Sequence, residues 1–405
     1  MEKKKNTPKL RFPEFTGEWE EKKIQKLIDD KIIISHLDGN HGGLYPRNEE
    51  FVSNGIPYIT ANDFAEGILY FDKCKFLTNE RASKFRKGIA INGDVLFAHN
   101  ATVGPTAILR TNFDYVILST TATYFRCDNI NLLNLYVEKY FNTDFFVNQY
   151  TRVMAQSTRN QVPISMQRTF SIKLPTIGEQ TKIATFLTAV DEKLTQLKKK
   201  KTRLEQYKKG VMQKLFSQEL RFKDDNNQDF PDWQEKLVEN IFKITRGNVL
   251  SMTLVMENKD DKNRYPVYSS QTKNKGLSGY YDKFLFKNCI TWTTDGAGAG
   301  DVNFRKGEFY CTNVCGVLIS DEGYANQFVA ELLNSISRKY VSYVGNPKLM
   351  NNVMGNISIC IPSSIIEQQK IATFLSSLDE KISHCSKKIE KMEAWKKGLL
   401  QLMFV

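Results

Sequence analysis

The segment Asp295-Gly-Ala-Gly-Ala-Gly300 is the first candidate for chemistry, because glycine-rich loops of this kind bind nucleotides or S-adenosylmethionine. Such a loop has to open a helix, since the helix N-terminus stabilises the bound ligand. Here the loop follows the apolar run CITWTT and precedes DVNFRKGEFYC, whose alternation and internal glycine are typical of a strand. We therefore interpret it as a hairpin turn.

Other catalytic patterns are missing from the sequence. Asn346-Pro347 is followed by Lys348, so it is not the Asn/Asp-Pro-Pro-Tyr/Phe segment that holds a target adenine amino group. We find no nucleophile elbow with its histidine and acid, and no carboxylate pair with a recognisable spacing. Cys311 and Cys315 are four residues apart without a CxxC or histidine pair, which disfavours a metal site. The sequence disfavours an enzyme.

Polar residues cluster in several short segments instead. Asn, Gln, Arg, Lys, Ser and Thr are the side chains that hydrogen-bond base edges and phosphates, so we predict DNA contacts there. Ordinary polar loops remain the alternative for any one cluster. The candidate residues are His99, Asn100, Thr102, Ser119, Thr120, Ser157, Arg159, Asn160, Gln161, Ser270, Gln271, Lys273, Asn274, Thr294, Asp295, Lys348, Asn351 and Asn352.

The composition is globular and basic. The 405 residues carry a formal net charge of +12, which favours a polyanionic partner with nucleic acid first, although solubility alone would also explain it. We expect no membrane span, because there is no run of about 18 apolar residues. The start, MEKKKNTPKLRF, lacks the apolar core of a signal peptide. The seven cysteines have no paired spacing, so we interpret them as reduced thiols. Together these features predict a cytoplasmic protein.

An internal repeat organises the chain. EQTKIATFLTAVDEKL, from Glu179, matches EQQKIATFLSSLDEKI, from Glu367, and the match continues without a gap to Phe216 and Phe404. A shorter echo, LRF followed by a tryptophan, begins at Leu10 and again at residue 220. Duplication with a pseudo-two-fold axis is the interpretation.

Each long repeat predicts a helix of roughly 40 residues, or roughly 60 Å. Apolar residues recur with a 4-3 spacing over about five heptads, as in a coiled coil. We expect the two helices to pair antiparallel within the chain; packing on the adjacent domain or dimerising with another chain are the alternatives. The seam positions taken as partner-binding are Ile183, Leu187, Leu194, Leu197, Ile371, Leu375, Ile382 and Ile389.

Lys198-Lys-Lys-Lys201 lies in the middle of the first of these helices. A solvated helix face is the ordinary explanation for such a run, and contact with DNA phosphates is the functional one.

The regions 20–175 and 234–362 share little sequence but have the same pattern of residue types. Short β-like runs such as GIPYIT and TATYFRC in the first, and YPVYSS and CITWTT in the second, are broken by glycine and asparagine. Helical stretches follow near 131–150 and 326–343. We therefore predict an α+β protein with two mixed α/β globular domains and two long antiparallel helices.

Together these motifs resemble the specificity subunits of bacterial type I restriction–modification systems, over essentially the whole chain. The strongest marks are the duplicated EQxKIATFLxxxDEK helix starts, the YKKG-like helix ends, and LRFPEF followed by tryptophan. GDVLFAHNATVG and TDGAGAGDVNFRKGEFYCTNVCGVL resemble target-recognition regions. The second copy departs slightly, because Pro362 lies one residue further from its Glu-Gln pair than Pro175 does and GIPYIT has no counterpart. That implies two unlike half-sites.

The resemblance implies a non-catalytic subunit that reads a bipartite asymmetric site in double-stranded DNA. Two modification subunits would bring S-adenosylmethionine and methylate adenines, and two restriction subunits would add ATP- and Mg-dependent translocation and cleavage. This chain would hold no cofactor or metal. The implied division is target-recognition domain 1 at 1–176, a central spacer helix at 177–218, target-recognition domain 2 at 219–363 and a C-terminal spacer helix at 364–405.

Two rival functions stay open at this point. A self-contained methyltransferase would use the 295–300 loop, and a structural coiled-coil adaptor would bind protein through its variable domains. Saturable S-adenosylmethionine binding would favour the first rival, and a lack of salt-dependent DNA affinity would favour the second.

Overall fold

The structure is a computed structural model that describes residues 6–40, 42–156, 159–271 and 273–405. The chain divides into two compact units. Unit 1 consists of Met1–Lys198 and Lys388–Val405, and unit 2 is Lys199–Lys387. Each unit therefore contains two separate stretches of long helix, one from each copy of the repeat.

Unit 1 is built mainly of short strands. They are β1 (Glu20–Lys23), β2 (Ile33–Asp38), β3 (Phe51–Val52), β4 (Ile56–Ile59), β5 (Phe64–Ala65), β6 (Ile68–Leu69), β7 (Lys75–Leu77), β8 (Ile89–Ala90), β9 (Val95–Asn100), β10 (Thr102–Ile108), β11 (Val116–Leu118), β12 (Ala122–Cys127) and β13 (Ser171–Leu174). The helices are α1 (Ile24–Asp29), α2 (Asn79–Ala82), α3 (Asn134–Phe141), α4 (Asp144–Ala155), α5 (Ile164–Gln167) and the long α6 (Ile177–Phe216), which continues into unit 2.

The central sheet of unit 1 has the antiparallel strand order β10-β9-β12-β2. Its register places Tyr124 opposite both Leu96 and Leu37. A second sheet, β3-β7-β4-β11-β8, contains the parallel pair β4 and β11. Alternation of apolar residues, as in Val95, Phe97 and Phe125, buries one face of the central sheet under α3 and α4.

Unit 2 repeats this plan with fewer strands. They are β14 (Trp233–Leu237), β15 (Lys243–Arg246), β16 (Tyr265–Tyr268), β17 (Leu277–Tyr281), β18 (Phe286–Thr293), β19 (Val302–Cys311), β20 (Cys315–Ile319) and β21 (Ser358–Pro362). The helices are α7 (Val238–Ile241), α8 (Gln327–Ile336), α9 (Asn351–Gly355) and α10 (Ile365–Leu402), which ends in unit 1.

The sheets of the two units share a four-strand scaffold. In unit 2 the order is β15-β20-β18-β19-β16-β17, so β19-β18-β20-β15 matches β10-β9-β12-β2, and all these pairs are antiparallel. A two-stranded ladder also precedes each long helix, β1 with β13 and β14 with β21. The strands outside this scaffold differ between the two units. The predicted mixed α/β fold class is confirmed.

The long helices α6 and α10 contain 40 and 38 residues. In unit 1, Asp191 of α6 pairs with Lys396 of α10 at 2.6 Å. In unit 2, Asp379 of α10 pairs with Lys208 of α6 at 2.8 Å. The two ion pairs are related by the 188-residue repeat. In unit 1, Lys198 of α6 also pairs with Glu393 of α10 at 3.0 Å, so residues further along α6 meet residues earlier in α10 and the two segments run antiparallel. The predicted intramolecular antiparallel pair is confirmed.

The start of each long helix is fastened to its own globular domain by the repeated motifs. Arg11 donates to both carboxylate oxygens of Glu179 at 2.8 Å, and Arg221 donates to those of Glu367 at 3.2 and 2.9 Å. The arginine comes from LRF and the glutamate from EQ. The two repeated motifs, although distant in sequence, therefore form one contact in each unit.

The end of each helix fills the core of the other repeat's domain. Met403 and Phe404, at the end of α10, are buried in the core of unit 1, where Phe404 contacts the rings of Trp19 and Tyr136. Leu215, near the end of α6, is buried in the core of unit 2. Within the described residues, none of the helices is long and apolar enough to cross a bilayer.

Candidate nucleic-acid interface

In unit 1 the structure brings two of the predicted polar clusters together. The turn from β9 to β10 lies against the segment that precedes α5. Ala101, in the left-handed region at φ 63°, donates its N–H to Asn160 O at 3.0 Å, and the Asn160 side chain donates back to Ala101 O at 2.7 Å. Asn100 and Gln161 form a β-bridge beside them. This pairing creates one surface from Asn100, Thr102, Arg159, Asn160 and Gln161.

A third loop extends this surface. Thr102 donates its hydroxyl to the Asn62 side chain at 3.1 Å, and Ala61 donates its N–H to Thr121 Oγ1 at 2.9 Å. Thr120, which is half-buried, lies beside Thr121. Asn62 is exposed and was missed by sequence reasoning, although it lies two residues after the end of the β-like run GIPYIT. Ser157, which the sequence also predicted, lies outside the described residues.

A buried polar network supports the surface from below. The Gln167 side chain donates its N–H to Val162 O at 2.9 Å. Gln167 Oε1 lies 3.0 Å from Thr123 Oγ1 and 3.1 Å from His36 Nε2. Burial lowers the pKa of His36 to about 3, so the imidazole is neutral at physiological pH. The segment that carries Arg159 is thus anchored by uncharged groups.

In unit 2 the corresponding turn, from β18 to β19, includes the glycine-rich segment. The 295–300 segment connects two antiparallel strands, with Trp292 opposite Val302, so the interpretation as a hairpin is confirmed. Gly296 donates its N–H to Pro347 O and Leu349 donates to Thr294 O, both at 2.9 Å. The pairing brings Thr294 and Asp295 next to Lys348, with Asn351 and Asn352 at the start of α9 close behind.

Arg246, at the end of β15, is a further member of this surface that the sequence did not single out. Its guanidinium lies 3.9 Å from the Asp295 carboxylate, and Asp295 forms a β-bridge with Lys348. A signal was present, because Arg246 and Asp38 each end a strand of the shared scaffold and are each followed by Gly-Asn. Lys348 is exposed, and Arg246 is partly exposed.

The remaining cluster forms a separate loop after β16. Gln271, Lys273 and Asn274 are exposed, and Ser270 is half-buried. Asn274 and Lys275 adopt left-handed φ values of 49° and 52° in the 3₁₀ turn Lys273–Gly276. The Thr312 hydroxyl, which donates to Ser269 Oγ at 3.0 Å, links this loop to the turn between β19 and β20.

A buried arginine braces that loop. Arg305 donates to Lys275 O at 2.7 Å and to Thr291 Oγ1 at 2.9 Å, and its guanidinium lies 3.7 Å from the centre of the Tyr268 ring. Burial lowers the pKa of Arg305. The aromatic face and the carbonyl stabilise the cation, and in return the guanidinium fixes the loop conformation.

Three of the predicted contact residues are buried. His99 places Nδ1 3.1 Å from Val162 O, the Ser119 hydroxyl lies 2.6 Å from Thr121 Oγ1, and the Thr294 hydroxyl lies 2.6 Å from Asp295. These side chains hold the loops in place and do not belong to the surface, which corrects the prediction for them.

The predicted seam residues also lie inside the protein. Leu197 and Ile382 are half-buried, and the others are buried, with Ile183 and Leu187 in the core of unit 1 and Ile371 and Leu375 in that of unit 2. Leu194 and Ile389 are buried as well. These side chains pack inside the protein and are not presented to another subunit, which corrects the prediction for them.

Metal-binding chemistry is not indicated in the part of the chain that the structure describes, where no group of three or more His, Cys, Asp or Glu side chains could hold an ion. The cysteines are free thiols, and burial raises the pKa values of Cys289, Cys311 and Cys315. These thiols pack in an apolar cluster beneath the sheet.

The chain therefore contains two copies of one scaffold that carry different polar loops. The chain matches the family model described as type I restriction modification DNA specificity domain over residues 17–206 and again over 231–394. The chain therefore belongs to the type I restriction–modification DNA specificity family. The two matched segments contain both loop surfaces and most of both long helices.

Similar proteins agree with this assignment. A protein of Methanocaldococcus jannaschii that is named for a type I restriction enzyme specificity subunit is 24% identical over 99% of this chain and 96% of its own length. The MpnII type I restriction enzyme specificity subunit of Mycoplasma pneumoniae is 33% identical over 35% of this chain and 43% of its own. The crystal structure of a type I restriction–modification S subunit from M. genitalium superimposes with a TM-score of 0.67 at 16% identity, covering 98% of this chain and 99% of that one, which shows a common fold.

Proposed function

We propose that this chain is the non-catalytic reading subunit of a type I restriction–modification complex and recognises a bipartite, asymmetric DNA site. Unit 1 reads one half-site with the surface around Asn100, Thr102 and Arg159. Unit 2 reads the other with the surface around Arg246, Asp295 and Lys348. The observation that carries the proposal is the shared four-strand scaffold, whose equivalent turns bear different polar residues in the two units.

Charge and chemistry support this assignment. The net charge of +12 supplies sequence-independent attraction to phosphates. Exposed amide, hydroxyl and guanidinium groups on the loops discriminate among bases by hydrogen bonding. Asp295 is the one carboxylate of the predicted set, and an aspartate accepts a hydrogen bond from cytosine N4. The two half-sites differ because the two surfaces differ.

The long helices serve as the spacer and as the platform for other subunits in this proposal. Identical motifs fasten both helix starts, so two identical modification subunits would meet equivalent exposed helix faces. Those subunits would bind S-adenosylmethionine and methylate one adenine in each half-site, and two restriction subunits would use ATP and Mg to translocate and cleave DNA in the bacterial cytoplasm. The hairpin at 295–300 argues against a self-contained methyltransferase, because it offers a bound nucleotide no helix start.

Binding measurements test the proposal. The full chain, co-purified with the modification subunit of its own system, should bind a duplex carrying its bipartite site and lose affinity when the gap changes by one base pair. Affinity should also fall steeply with salt. Indifference to the gap length would overturn the spacer role. Absence of salt-dependent DNA affinity would favour a protein adaptor, and saturable S-adenosylmethionine binding by the isolated chain would favour a methyltransferase.

A further inference from the structure

A hairpin at 342–348 in unit 2 holds two adjacent apolar side chains out into solvent. Tyr343 is 67% exposed and Val344 is 92% exposed. A single exposed apolar residue needs no explanation, but a neighbouring pair on a protruding turn indicates a contact that the isolated chain does not make.

The base of this hairpin is fixed. Ser342 and Lys348 exchange two backbone hydrogen bonds of 2.9 Å, and Gly345, at φ 74°, allows the chain to reverse between them. The next residue, Leu349, is buried and accepts a hydrogen bond from the Trp292 indole at 3.0 Å. A tip held in this way loses little conformational freedom on binding, which favours affinity.

The surroundings of the tip are cationic. Lys348 closes the hairpin beside Asp295, and Arg246 approaches the same carboxylate. Lys339 is also exposed on the 3₁₀ turn Ser337–Tyr340, which leads into the hairpin. Cations at the base suit phosphates, whereas the tip suits the apolar, stacked interior of a duplex. This combination matches DNA better than it matches an apolar protein groove.

We propose that the 342–348 hairpin is a wedge that inserts Tyr343 and Val344 between two base pairs at the half-site read by unit 2 and kinks the duplex. The proposal rests on the proposed DNA-reading function. Apolar side chains used in this way partly unstack a base step and bend DNA by roughly 20–90°. Pyrimidine–purine steps open most easily, so the wedge adds a preference for such a step without any hydrogen bond to a base.

The test uses the full chain with its modification subunit and a duplex that carries the site found by methylome sequencing. The fluorescent base 2-aminopurine is placed in turn at each position of the half-site read by unit 2. The double variant Tyr343→Ser/Val344→Ser removes the wedge from an exposed turn, so the fold should persist. Ile130→Ser, at a position 74% exposed in unit 1, is the matched apolar-to-polar control.

Apart from the adenine that the modification subunit extrudes for methylation, wild type and Ile130→Ser should both show a rise in fluorescence at one further step, which reports unstacking by the wedge. The double variant should lose this second rise with about a tenfold fall in affinity. A complex that binds tightly without this second rise would overturn the wedge while leaving the DNA-reading function intact. So would a double variant that keeps the signal, or one that keeps its DNA affinity but no longer binds the modification subunit. Failure of the wild-type complex to bind the duplex at all would instead count against the proposed function.

Discussion

Trp233 donates its indole N–H to the Glu367 carboxylate at 3.3 Å, whereas the repeat-equivalent Trp19 buries the same group with no partner among the described residues. Both tryptophans are buried, and each unit keeps the Arg–Glu pair that fastens a long helix to its domain. The duplication has therefore kept the ion pair in both units and the indole hydrogen bond in only one. This difference allows the contribution of that hydrogen bond to be measured inside a single chain.

Trp233→Phe should lower the free energy of unfolding of unit 2 more than Trp19→Phe lowers that of unit 1. Both substitutions remove the same ring volume, but only the first leaves a carboxylate oxygen short of a donor, at a cost of about 1–2 kcal/mol. Hydrogen exchange resolved by residue gives the opening free energy of each unit separately. Equal losses in the two units would show that the indole contact adds nothing.

Acid should destabilise unit 1 through His36. The unfolded chain takes up a proton near pH 6.5, but in the folded protein burial lowers the pKa to about 3. Between these values the unfolded state binds more protons, so stability falls as the pH falls, by about 2 kcal/mol from pH 7 to pH 5.

His36→Asn should flatten this dependence, and His384→Asn, at an exposed position, should not. Hydrogen exchange at several pH values, corrected for the intrinsic exchange rate, measures both. The prediction is wrong if unit 1 of the His36 variant still loses stability between pH 7 and pH 5 as the wild type does.

Arg305→Lys should impair reading by unit 2 alone. Lysine keeps the charge but cannot donate in two directions while lying flat on Tyr268, so the 273–276 turn should relax. We expect about a tenfold loss in affinity for the half-site of unit 2. Competition binding with duplexes altered in one half at a time measures this effect. Arg264→Lys, at an exposed position, serves as the control, and a uniform loss over both halves would refute the positioning role.

Helix pairing determines how the spacer can be lengthened. Seven residues inserted after Lys200 alone should misalign the ion pairs Asp191–Lys396 and Lys208–Asp379 and destabilise the protein, because only α6 grows. The same insertion also placed after Lys388 restores the match. Seven helical residues add about 10.5 Å, so the permitted gap should lengthen by up to about three base pairs. Binding to a series of gap lengths tests this, and an unchanged optimum in the folded double insertion would contradict the spacer role.

Much of the fold could be predicted because its signals are local and repeated. The 4-3 spacing of apolar residues gave the helices, and alternation after residue 300 gave the hairpin. The positions of side chains relative to the surface could not be read in this way. His99, Ser119 and Thr294 have the right chemistry for DNA contacts, but residue type does not reveal which side of a turn faces the core.

The missed residues have a physical explanation too. Arg246 joins Asp295 and Lys348 only through the pairing of β15 with β20 and of β18 with β20, a long-range arrangement that the sequence does not encode locally. The seam leucines and isoleucines were correctly identified as apolar stripes. Their role was misassigned, because the same stripe would serve an internal core or an external partner equally well.

Methylome sequencing after a domain exchange tests the central claim most directly. Residues 20–175 are replaced by the corresponding region of a homologue with a different target, and cells carrying the chimera and its modification subunit are sequenced. The account predicts that one half of the methylated site changes while the other half and the gap stay the same. A change in both halves, or in neither, would contradict the assignment of one half-site to each unit.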